Sequence, residues 1–159
     1  MTFDDRSEIN LATLHPEMQK AMRAFLGVAK TIAAKTGHDV KVISGTRSYM
    51  EQDALYAKGR TIPNTSIVTR AKAGFSLHNF GISADIGIFK GKEYFGEHPL
   101  YHELGTLGKS LGMEWGGDWK SIVDEPHYQL RPSWAKGMTE RDMLATLRNR
   151  VSKKIDVLA

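Results

Sequence analysis

Between Pro16 and Ala34 the apolar residues Met18, Met22, Phe25, Leu26, Ala29 and Ile32 or Ala33 recur three or four apart. That spacing predicts one amphipathic helix. Pro16 suits its first position, and Gly37 suits its end. Asp39-Val40-Lys41-Val42-Ile43-Ser44 then alternates, which predicts a strand. Ser48, with Glu51 three residues on, forms a capping box that opens a second helix to about Lys58. Residues 60–75 lose all periodicity and read as a polar loop with Gly and Pro, long enough to flank a cleft. Ile82 to Phe89 alternates imperfectly and is rich in branched residues, so it reads as a strand. A helix from Pro99 to about Leu111, a turn at Trp115–Trp119 and a short strand at 127–130 follow. The last helix shows a stripe of Met143, Leu144, Leu147 and Val151. The order is α+β: a small antiparallel sheet flanked by helices, without repeats or low-complexity linkers.

Composition narrows the class without changing the outline. At 159 residues, one domain with a sizeable core is expected. Hydrophobic residues at 41% and charged residues at 25% are ordinary for a globular chain and speak against disorder. No run of eighteen apolar residues suggests a membrane span. The start, Met1-Thr2-Phe3-Asp4-Asp5-Arg6, lacks the basic and apolar regions of a secretory signal. There is no cysteine, so neither disulfides nor thiolate metal sites are open to this chain.

Charge is concentrated at one end. Residues 131–159 carry Arg131, Lys136, Arg141, Arg148, Arg150, Lys153 and Lys154 against Glu140, Asp142 and Asp156. Their balance equals the whole formal net charge of +4. A basic face of this kind can be drawn weakly to an anionic envelope. Specific nucleic-acid binding is not expected, because Trp134 is isolated from the later basic cluster. The organisation expected is residues 1–130 as the catalytic domain, with 131–159 as a basic helical extension packed on it.

The chemistry is carried by Ser76-Leu77-His78-Asn79-Phe80-Gly81-Ile82-Ser83-Ala84-Asp85 and by Asp124-Glu125-Pro126-His127. Together they offer two imidazoles, one carboxylate ligand and a spare carboxylate. A catalytic zinc hydrolase needs that set: three ligands from His and Asp/Glu, an open position for water, and a base beside it. Donors on one zinc lie roughly 3–3.5 Å apart. Seven extended residues would part His78 from Asp85 by up to about 23 Å. The chain must therefore reverse between them, and Asn79-Phe80-Gly81 tolerates a tight turn. Asp85 in mid-strand is otherwise costly, and a bound cation removes the anomaly. For the base, alternation places Glu125 on the face of His127, whereas Pro126 interrupts regular pairing, so Asp124 and Glu125 both stand.

Other histidines weigh less. His98 and His102 are four apart, but Pro99 stands where a zinc-binding helix carries Glu, and it leaves His98 at the cap. His15 precedes Pro16 in a similar position, and His38 follows Gly37 in a loop.

The pattern Ser-x-His-x-x-Gly-x-x-x-Asp with a distant Asp-x-Pro-His resembles the zinc peptidases of the D-alanyl-D-alanine carboxypeptidase and dipeptidase superfamily. Within it the chain looks most like phage endolysins of the L-alanyl-D-glutamate peptidase type. The resemblance extends to Ser44-Gly45-Thr46-Arg47-Ser48 and to Glu51-Gln52-x-x-Leu55-Tyr56-x-x-Gly59-Arg60-Thr61, and covers roughly residues 5–130. It implies Zn2+ held by His78, Asp85 and His127 in a cleft beside the sheet. It also implies Asp124 as general base, and Arg47 facing the substrate or the oxyanion. Gln52 and Ser76 join Arg47 as candidate substrate contacts. Trp115 and Trp119 read as core or cleft wall.

The function implied is hydrolysis of the L-alanyl-D-glutamate bond in the peptidoglycan stem peptide, leading to bacterial lysis. Such a monomeric enzyme would be made in the host cytoplasm and reach the wall after membrane permeabilisation. Two alternatives are a D-alanyl-D-alanine carboxypeptidase or dipeptidase of wall metabolism, and a non-catalytic peptidoglycan-binding module.

Overall fold

The computed structural model describes residues 2–159. It divides into two compact units: the chain through Gly45 with Ile82–Leu130, and Thr46–Gly81 with Arg131–Ala159. The basic C-terminal segment thus folds together with residues 46–81.

The first unit is a mixed helical and antiparallel sheet structure, as the α+β reading expected. Its helices are α1 (Asp5–Leu11), α2 (Pro16–Ala34) and, further along, α4 (Leu100–Ser110). Its strands are β1 (Asp39–Ser44), β2 (Ser83–Lys90), β3 (Glu93–Phe95), β4 (Glu114–Trp115) and β5 (His127–Gln129). The sheet runs β1-β2-β5-β4, with β3 also paired to β2. β2 therefore has β1 along one edge, while β5 takes residues 83–85 and β3 residues 88–90 on the other.

One face of this sheet is the core. Ala84, Ile86 and Ile88 of β2, Val40 and Val42 of β1, Trp115 and Tyr128 all point into it. They meet Met18, Met22, Phe25, Leu26, Ala29 and Ala33, the predicted stripe of α2, and Leu104 of α4. Fully burying one such side chain stabilises by about 1.5–3 kcal/mol. His15 caps α2 by accepting from the Glu17 amide through Nδ1 at 3.1 Å. Side chains alternate across a strand, so Ser83 and Asp85, and likewise His127 and Gln129, fall on the opposite face. A slip of one residue would exchange these polar groups for the core set, so burial of Ile86 and Tyr128 fixes where Asp85 and His127 point.

The second unit contains α3 (Tyr49–Ala57) and α5 (Glu140–Ser152). The Ser48/Glu51 capping box forms as the sequence predicts. Residues 60–75 lack helix and extended strand, but side chains pin them. Gln52 Nε2 donates to the Ala71 carbonyl at 2.7 Å, and the Ala73 amide donates to Asp53 at 2.9 Å. Arg148 of α5 donates to the Gly74 carbonyl and lies over the Phe75 ring at 4.0 Å. Met143, Leu144 and Leu147 are buried, whereas Val151 is exposed, so the last stripe stops one turn sooner than expected.

Candidate metal centre

Asp85 and His127 are direct partners across the β2–β5 ladder. The pairing puts His127 Nδ1 at 3.1 Å from Asp85 Oδ1. Behind it, His127 Nε2 lies 2.8 Å from Gln129 Oε1 and 3.4 Å from Ser83 Oγ. Gln129 in turn donates to Glu114 Oε1 at 2.9 Å. The Trp119 ring packs on the His127 imidazole with centroids 4.9 Å apart. Burial alone would push the His127 pKa down. The hydrogen bond and charge of Asp85, with smaller help from Gln129 and Asp124, outweigh it and hold the pKa above the ordinary histidine value.

His78 sits in a single 3-10 turn, Leu77–Asn79. Ser76 caps this turn by accepting from the His78 amide at 3.2 Å. Asn79 Oδ1 accepts from the amides of Gly74 and Ser76, and its Nδ2 donates to the Arg47 carbonyl. The Arg47 amide donates to the His78 carbonyl at 2.8 Å. Gly81 completes the predicted reversal with φ +78°, a left-handed conformation that suits glycine.

His78, Asp85 and His127 each offer one ligand atom, and these atoms all lie within 4.8 Å of one another. Both histidines are buried, at 5% exposure each. The 3.1 Å spacing of the Asp85 and His127 donors matches that of two ligands about 2.0–2.2 Å from a shared ion. Two imidazoles and a carboxylate are also the chemistry of a three-ligand catalytic site. These residues fit a divalent metal.

The residues just before His127 are ordered by a close approach. The Asp124 amide donates to the Gly116 carbonyl at 3.0 Å. A Cβ on Gly116 would stand 2.2 Å from the Asp124 carbonyl oxygen, so glycine is required there. β5 begins only at His127, so alternation does not extend back through Pro126 to its two candidate bases. Glu125 directs Oε2 to His102 Nε2 of α4 at 2.6 Å. Its carbonyl accepts from the Trp115 indole at 2.7 Å. Asp124 lies close enough to His127 for its charge to raise that pKa.

A model of the D-alanyl-D-alanine carboxypeptidase family matches residues 69–130, the stretch that holds all three candidate ligands. Over 130 residues the chain is 38% identical to the peptidoglycan L-alanyl-D-glutamate endopeptidase CwlK of Bacillus subtilis. That alignment spans 76% of this chain and 75% of CwlK. The chain belongs to this peptidase family. The family's enzymes are metallopeptidases, and the metal-binding group described above is the corresponding feature here. A second relative, the L-alanyl-D-glutamate peptidase of Listeria phage A118, is 28% identical over 131 residues, covering 80% of this chain and 42% of that protein. Among solved structures, the Serratia marcescens L-Ala D-Glu endopeptidase ChiX aligns with a TM-score of 0.56 and 25% identity. That match covers 82% of this chain and 90% of ChiX.

Of the residues singled out in the sequence, His78, Asp85 and His127 come together. Arg47 and Gln52 also meet, Arg47 Nη1 donating to Gln52 Oε1 at 3.0 Å. Ser76 is engaged as a turn cap. Sequence reasoning passed over Gln129 and Glu114, and read Asn79 only as a turn residue. The signal for Gln129 was available, since alternation sets it on the face of His127.

Proposed function

We propose that this metallopeptidase is a zinc-dependent peptidoglycan L-alanyl-D-glutamate endopeptidase that lyses bacteria. The observation carrying this reading is the convergence of His78, Asp85 and His127, with Asp124 three residues before the last of them. The names of CwlK, the A118 enzyme and ChiX support the choice of bond. The phage origin of the A118 enzyme supports the lytic role.

His78, Asp85 and His127 hold the metal through two nitrogens and one oxygen. Zinc bound there would supply Lewis acidity toward the scissile carbonyl and lower the pKa of a water. Asp124 is the general base. Its carboxylate accepts a proton from the attacking water as the new C–O bond forms. It then passes that proton to the departing amine nitrogen as the C–N bond breaks. Glu125 is less suited, because its Oε2 is turned to within 2.6 Å of His102 Nε2 on α4. Arg47 offers a guanidinium to a substrate carboxylate or to charge developing on the carbonyl oxygen. Gln52, its hydrogen-bond partner, orients it. Ser76 stands at the edge of the turn bearing His78 and adds a hydroxyl to the substrate side.

The substrate is bacterial peptidoglycan, and the protein acts as a monomer once the membrane is breached. No helix among the described residues is long and apolar enough to cross a membrane. The basic helix adds weak attraction to an anionic envelope, although Arg148 and Arg150 are partly committed to internal carbonyls.

A second reading, cleavage of D-alanyl-D-alanine, is favoured by the description of the matching family. Mass spectrometry of digested peptidoglycan, with and without a chelator, separates the two. Release of new N-terminal D-glutamate, abolished by the chelator, supports the endopeptidase, whereas free D-alanine overturns it. Asp124→Ala is expected to abolish turnover while zinc stays bound. Turnover near the parent rate would sink the base assignment.

A further inference from the structure

The strands carrying Asp85 and His127 also fix the direction of each hydrogen bond behind them. Glu114 pairs with Gln129 across the β4–β5 ladder, and Gln129 Nε2 donates to Glu114 Oε1 at 2.9 Å. An ionised carboxylate only accepts. Turning the Gln129 amide round would therefore set two oxygens face to face. Its oxygen is left facing His127 Nε2 at 2.8 Å, between side chains 3% and 5% exposed. That oxygen accepts, so Nε2 carries the hydrogen. The Ser83 hydroxyl, at 3.4 Å, can share it.

The consequence falls on the other ring nitrogen. With hydrogen on Nε2, neutral imidazole turns the Nδ1 lone pair toward Asp85 Oδ1 at 3.1 Å. Two acceptors at that distance repel unless something positive lies between them. The neutral Nδ1–H form would instead bond Asp85 directly and leave no lone pair for an ion.

We propose that Glu114 and Gln129 form a positioning relay that sets His127 in its Nε2–H tautomer and thereby commits Nδ1 and Asp85 to a divalent metal. The relay rests on His127 and Asp85 being metal ligands. Losing such an outer partner weakens metal binding roughly 10- to 100-fold.

The test measures zinc affinity by chelator competition on the full chain, with folding checked by circular dichroism. Gln129→Leu is expected to weaken zinc binding about 10- to 100-fold. The exchange of partners, Glu114→Gln with Gln129→Glu, keeps an acceptor on Nε2 and is expected to restore affinity to near the parental value. In the zinc-loaded parent, 15N NMR of His127 should show a protonated Nε2 and a metal-bound Nδ1. Parent protein that binds no zinc would overturn the ligand assignment and the relay together. Parent that binds zinc while folded Gln129→Leu binds equally tightly would overturn the relay alone. Should Gln129→Leu fail to fold, a folded exchange variant without parental affinity, or zinc on Nε2 in the parent, overturns it equally.

Discussion

Asp85 and His127 are held by strand register, whereas His78 and Arg47 are held by turns. The first pair stands on β2 and β5, directly opposite one another, above a face of Ala84, Ile86 and Tyr128 that is fully buried. Moving either donor means sliding a strand, which would expose that apolar face. The second pair hangs on local hydrogen bonds: the Ser76 cap, the Asn79 side chain and the Arg47–His78 backbone contact. Among the residues of α3, Gln52 is the buried one. The contrast is between donors fixed by the fold's main hydrophobic investment and groups fixed by a few side-chain bonds. Geometry that must be constant is best built the first way. The turn has apolar anchors of its own, since Leu77 and Phe80 on either side of His78 are buried, but they belong to one short stretch of chain.

The strongest test of that contrast removes one ligand from each region. Asp85→Ala and His78→Ala should both lose stoichiometric zinc after gel filtration, as read by elemental analysis, and both should lose turnover. If His78→Ala keeps a full complement of zinc, the turn-held histidine is not a ligand and only the sheet-held pair carries the site.

A smaller effect is expected from Asn79→Ala, which leaves every candidate ligand in place. The side chain makes three part-buried bonds, to the amides of Gly74 and Ser76 and to the Arg47 carbonyl. Their loss should cost about 1–3 kcal/mol in urea denaturation. Zinc should remain bound, and kcat/KM should fall more than zinc affinity does. A denaturation midpoint equal to the parent's would show that the turn is held by something other than these bonds.

How far the sequence discloses this arrangement follows the same division. α2 could be read to its observed bounds because an unbroken apolar stripe lies between Pro16 and Gly37. The Ser48/Glu51 box and the strand bearing Asp85 were equally legible, since capping and a misplaced carboxylate are local signals. α1 was not, because its seven residues include buried Leu11 but a largely exposed Ile9, too little for a period. β3 exists by pairing with β2 rather than by any pattern of its own. Asp124 and Glu125 could not be separated by alternation because the strand begins after Pro126. Nothing local marks Glu114 as the partner of Gln129, which it meets only through strand pairing and which is 3% exposed. A buried polar network is decided by partners far along the chain, which no local window contains.

The smallest expected effect compares how the two regions respond to acid. In the sheet unit Arg23 grips Glu8 of α1 with both terminal nitrogens, and this bond, with the Phe3 amide, lowers the Glu8 pKa from 4.5 to about 2. In the other unit the Ser48 backbone amide, then its hydroxyl, lower the Glu51 pKa. Both folded values lie below the unfolded ones. Each contribution is therefore fully present above the unfolded pKa and is lost as pH falls through the folded one. For Glu8 that window runs from about 4.5 down to about 2. Both carboxylates are near the surface, so the effects are modest and weaken with salt. Glutamine in either place keeps an acceptor but cannot titrate. Glu8→Gln should flatten the acid limb of Tm between about pH 5 and pH 2 more than Glu51→Gln does. The reverse order would mean that the capping box, not the Arg23 bond, is the more acid-sensitive support, and that the turn-built region is the more heavily anchored of the two.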